Sequence, residues 1–104
     1  MTEVVLPRKI GNILLELTST SDLDSALLSA MKDVIDHRIE KCDQEINAFE
    51  KKYKMKFEDF KKKWDNNDLP GDKYSYEIEK DYWEWEAAVS RREHLEKIAD
   101  EWLY

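Results

Sequence analysis

Glycine and proline are scarce in this chain, with two of each in 104 residues. With so few turn formers and abundant Glu, Lys, Leu and Ala, the sequence reads as long helices with charged outer faces. Cysteine is nearly absent as well. The single Cys42 excludes an intramolecular disulfide framework and fits a reducing compartment. No apolar run approaches the ~20 residues that span a bilayer. The opening Met-Thr-Glu-Val-Val-Leu-Pro lacks a basic stretch followed by an apolar one, so no signal peptide is expected. A cytoplasmic location follows, with no membrane association. Gly-rich phosphate loops are missing too. Aromatic residues are absent before Phe49, although twelve follow from there to Tyr104.

What is present argues for a folded chain. Charged residues make up 39% of the sequence, a level often met in disorder, but hydrophobic residues contribute 41% and aromatics 12%. The length suits one domain, residues 1–104. A net charge of −7 argues against whole-surface nucleic-acid binding and leaves room only for a local N-terminal motif.

Four helical segments are predicted. Residues 1–20 form an N-terminal arm and a short helix. Pro7 suits a first helical position, Ile10, Ile13, Leu14 and Leu17 follow at helical spacing, and Thr18-Ser19-Thr20-Ser21 closes the helix. Val4-Val5-Leu6 reads either as a short strand or as an extended arm. A long helix is predicted over 22–53, with Ser21 and Asp24 matching a capping box. Its first half carries a broad apolar stripe (Leu23, Ala26, Leu27, Ala30, Met31, Val34). In its second half, Ile35, Ile39, Cys42, Ile46, Phe49 and Tyr53 step at 4, 3, 4, 3, 4, a coiled-coil seam.

A short helix over 57–65 carries Phe57, Phe60 and Trp64, and the turn-forming run from Asn66 to Asp72 ends it. Ser75 is a candidate N-cap for a last helix over 76–103. On it Ile78, Tyr82, Trp85 and Val89 keep the seam, Arg92 interrupts it, and Leu95, Ala99 and Trp102 resume it. The fold class is therefore all-α. It is a long antiparallel, coiled-coil-like helical hairpin with two short helices, expected to complete a bundle by homodimerisation. Ile46 and Trp85 are expected to be buried, and Asp43 to lie outside the seam.

Charge is segregated along the chain. Seven lysines against Glu58 and Asp59 give +5 over residues 51–63, and five acids against Lys80 give −4 over 77–86. The hairpin should bring these blocks together. Chemistry is harder to find. His37 and Cys42 diverge around a helix, and Cys42 sits in the apolar seam. Asp33, His37 and Glu40 share a face, but no carboxylate stands three residues before either histidine, as a di-metal bundle requires. No metal or other cofactor is expected, and no catalytic residue.

Val4-Val5-Leu6-Pro7, an apolar helix and then Ser21-Asp22-Leu23-Asp24-Ser25-Ala26-Leu27 resemble the opening of ribbon-helix-helix DNA-binding antitoxins. That resemblance implies a DNA-binding transcriptional regulator, although Thr2, Val4 and Leu6 lack the side chains that read a major groove. Lys52-Tyr53-Lys54-Met55-Lys56-Phe57-Glu58-Asp59-Phe60, Trp64, Tyr74-Ser75-Tyr76-Glu77 and Asp81-Tyr82-Trp83-Glu84-Trp85-Glu86 resemble a group of small uncharacterised archaeal and bacterial helical proteins. Some of these are antitoxin-like partners of small toxins. Glu93-x-x-Glu96 with Asp100 and Glu101 is a fragment of the carboxylate pattern of helical Mg²⁺-dependent nucleotide pyrophosphatases.

The leading expectation is a non-enzymatic protein–protein interaction module, an antitoxin-type component or assembly protein. The ribbon-helix-helix regulator and the pyrophosphatase-like enzyme rank second and third. The expected partners are a second copy of the chain and a cognate toxin-like protein. Trp83, Ala87, Ser90, His94 and Ile98 recur at 4, 3, 4, 4 beside the seam of the last helix and form the candidate partner-binding stripe.

Overall fold

The aromatic half of the chain organises the molecule. The computed structural model describes residues 5–69 and 75–103, with side chains up to residue 101. Helix α1 spans Arg8–Thr18, α2 Leu23–Tyr53, α3 Phe57–Asp65 and α4 Tyr76–Ile98, and a π-helical turn, Ala99–Leu103, continues α4. About 84% of the described residues are helical, and no strand occurs among them. Val5 and Leu6 therefore form no strand, and Val4 lies outside the described residues.

The local chemistry sets each boundary. Asp22, not Ser21, caps α2, because its carboxylate accepts from Ser25 N at 3.1 Å and Ser25 Oγ at 2.7 Å. Ser75 caps α4 by accepting from Ile78 N at 3.3 Å. Pro7 stands one position before α1, and its carbonyl accepts from Gly11 N at 3.0 Å. The α-helical part of the last helix ends at Ile98, five residues short of the end that the sequence pattern suggests, and the π-helical turn takes over from Ala99. Trp102, expected on the seam, lies outside the described side chains.

Helices α2 and α4 run antiparallel, since contacts at Asp43, Phe49 and Tyr53 meet Arg92, Trp85 and Asp81 in reverse order. The paired helices give a rod of 57 × 24 × 19 Å. Helix α3 folds back against the turn end of the hairpin, and there the core forms. Phe60, Tyr82 and Trp85 are its buried centre, ringed by Ile46, Phe49, Tyr53, Phe57, Trp64 and Val89 among others. Trp85 stacks on Phe49 and Tyr53 with centroids at 5.5 and 5.8 Å, and Phe60 meets it tilted at 5.0 Å. Farther along the seam Cys42 is buried as core.

Two expectations need correction. Ile46 is only half-buried, because it stands at the rim of the aromatic cluster and not beneath it. Asp43, expected outside the seam, is engaged by a seam residue. Its carboxylate accepts from Arg92 Nε across the helix pair, and Arg92 also donates to Glu96. Arg92 can stand in the seam because two carboxylates flank it.

Lys54 ends α2 with a left-handed backbone, φ 57° and ψ 37°. A side chain in that region strains the backbone, and glycine does not. Lys54→Gly should therefore raise stability by about 0.5–1 kcal/mol, read as a rise in the urea midpoint with an unchanged slope.

Candidate interaction surface

The opposite charge blocks meet at the turn end of the hairpin. Lys52 Nζ donates to Asp81 at 2.6 Å and to Glu77 at 2.7 Å, and the Tyr53 hydroxyl donates to the same Asp81 oxygen. Asp81 is buried. The hydrogen bond from Lys52 to Asp81, reinforced by Glu77, holds the ammonium above its ordinary pKa. Burial, and then the bond to Asp81, pushes the Tyr53 phenol up as well. Three groups on α2 and α4 are thus locked into one clasp, with the aromatic cluster behind it. The arrangement holds the hairpin closed and presents no free nucleophile.

The other polar candidates do not converge. His37 lines a shallow depression with Glu40, Lys41 and Gln44, and all four are exposed. Among the described residues no three His, Cys, Asp or Glu side chains are grouped to hold a metal ion. Glu93 and Asp100 face solvent, while Glu96 is held by Arg92. No helix among the described residues is long and apolar enough to cross a membrane.

The five residues of the predicted stripe are split between two places. Trp83 is 57% exposed, with its ring edge-on to Tyr82 at 5.2 Å. Tyr76, two turns earlier on the same face, is 81% exposed. Ala87, Ser90 and His94 continue that face in the open, and Ala87 borders a shallow groove with Glu45, Ala48 and Arg91. Ile98 leaves the stripe. It is half-buried against the first half of α2, where the hairpin partner runs out.

That first half carries the larger apolar surface. Leu27, Leu28, Met31, Val34 and Ile35 of α2, with Ile98, line an open groove of about 510 Å³. Met31 and Val34 are each about half exposed, at 50% and 51%. Helix α1 packs on α2, with Gly11 beside Leu23 and with Leu14, Leu15 and Thr18 partly buried, and leaves this groove open. Its own second face, Ile10, Ile13 and Leu17, also points to solvent, with Leu17 77% exposed. The stripe on α4 could be covered by α1 of the same chain or by a partner. Helix α1 lies against α2 instead and does not cover it.

The α2 groove had a signal in the sequence. A stripe of Leu23, Ala26, Leu27, Ala30, Met31 and Val34 is wider than one neighbouring helix covers. α1 buries one edge of it, with Ala26 fully enclosed, and leaves the other.

The family model described as the Uncharacterized protein MJ0235 family matches residues 7–102. No curated protein and no solved structure matches the chain.

Proposed function

The chain belongs to the MJ0235 family, and we propose that it is a non-enzymatic protein–protein interaction module, an antitoxin-type or assembly component. One observation carries this reading. A closely packed aromatic core at one end holds the hairpin together, while the aliphatic end leaves Ile10, Ile13, Leu17, Leu28, Met31 and Val34 in water. Contiguous exposed apolar side chains around an apolar groove mark interaction sites on soluble proteins.

Exposed Tyr76 and Trp83 add a smaller aromatic row on α4, flanked by Glu79, Lys80 and Glu84. Large aromatics with a charged rim are the usual anchors of an interface centre. A toxin-like protein partner would dock on this row, with Ala87 and Ser90 allowing close approach.

Tagged chain, purified from cells that also express the product of the adjacent gene, tests the reading. The unsubstituted chain should retain that product or a second copy of itself. Met31→Glu or Trp83→Glu should reduce the retained protein at least tenfold, as a charge forced into a desolvated contact does. If both variants retain what the unsubstituted chain retains, or if nothing is retained at all, neither surface is a docking site.

A further inference from the structure

We infer that the groove on the first half of α2 is occupied by helix α1 of a second copy of this chain, in a two-fold exchange. This deepens the interaction-module reading and rests on it. Each chain carries both halves of the contact. The outer face of α1 offers Ile10, Ile13 and Leu17 at i, i+3, i+7. The groove offers Leu28, Met31 and Val34 beside Leu27 and Ile35. α1 has 11 residues, about 16 Å, enough to fill a groove running from Leu27 to Ile35.

α1 cannot turn its outer face into its own groove. Thr20 N donates to Leu15 O at 3.2 Å, Ser19 N to Glu16 O at 3.3 Å and Thr18 Oγ1 to Leu14 O at 2.7 Å. The connection to α2 is therefore short and tied, and α1 is already seated on α2, with Gly11 beside Leu23 and Leu14 and Leu15 partly buried. A second copy meets no such restraint. An isologous pair buries both complementary patches twice with one operation.

The area is sufficient. Complete covering of the six exposed apolar side chains buries roughly 600 Å² per chain, about 1,200 Å² for the pair, the lower bound of a specific interface. At that size a reversible dimer is expected, not an obligate assembly.

Sedimentation equilibrium of the purified chain at tens of micromolar tests this directly. The expected mass is twice the 12.5 kDa of one chain. Met31→Glu and Leu17→Glu should each return it to one chain with unchanged helicity, while Trp83→Glu should remain double. A second measurement fixes the contact. In a Cys42→Ala background, chains carrying Ile13→Cys are mixed with differently tagged chains carrying Met31→Cys, since these residues stand at the centre of the two patches. An intermolecular disulfide between the two kinds of chain is expected on oxidation.

A single-chain mass at tens of micromolar overturns the inference, and so does a double mass that survives Met31→Glu. If the chain is single yet Met31→Glu abolishes retention of the adjacent gene's product, a different protein fills the groove and the module reading stands. If the chain is single and that retention is also unaffected by Met31→Glu and Trp83→Glu, both readings fall.

Discussion

Trp85→Ala should unfold the protein or leave it barely folded, with a loss of about 3–5 kcal/mol, the upper range for core aromatics. Trp85 is fully buried and contacts Phe49, Tyr53, Phe57 and Phe60 from two other helices. Its removal opens a hole that those rings cannot close, because each is tied to its own helix. A loss of that size is comparable to the entire stability of many small domains.

Trp85→Phe separates volume from polarity. The Trp85 Nε1 donor is buried and has no hydrogen-bond partner, a burden of about 1–3 kcal/mol. Phenylalanine relieves it while leaving a smaller cavity, so the two effects oppose each other. Urea denaturation should show Trp85→Phe much closer to wild type than Trp85→Ala. Equal losses in the two variants would mean that the phenyl ring restores none of the packing and that relief of the indole donor contributes nothing.

The second large effect belongs to the Asp81 clasp. Asp81→Ala should cost about 2–3 kcal/mol, because it deprives both Lys52 and the half-buried Tyr53 hydroxyl of a charged acceptor. Asp81→Asn keeps an acceptor for Tyr53 and loses only the charge, so about 1 kcal/mol is expected.

The clasp also has a pH signature. Lys52 and Tyr53 both hold their protons more tightly folded than unfolded, so folding takes up protons in the alkaline range. Their contribution is complete below about pH 10, the ordinary tyrosine value, and falls as pH rises above it. Stability measured from pH 8 to 11 should therefore decline at the alkaline end. Tyr53→Phe should flatten that decline, since it removes a titrating phenol whose neutral form the fold favours. A decline identical in Tyr53→Phe and wild type would assign the alkaline loss to other groups.

Much of this architecture was legible in the sequence because its signals are local or periodic. The 4, 3 steps from Ile35 to Tyr53 and from Ile78 to Val89 set which faces of two long helices meet. Ser75 marked the start of α4, and two prolines in the whole chain left few places for a helix to break. Hydrophobic period and backbone hydrogen bonding depend on near neighbours, so they are written in the order of residues.

What the tertiary structure decided depends on lateral position and on where partners end. Asp22 took the cap from Ser21 because its carboxylate reaches both Ser25 groups. Arg92 became tolerable in the seam only once Asp43 stood opposite it. Ile98 parted from Trp83 because α4 runs out beside the first half of α2, and the exposed apolar surface shifted from α4 to the groove beside α1. The hydrophobic pattern states that a face must be covered. Which neighbour covers it, and how much it leaves open, is set by the lengths and crossings of whole helices.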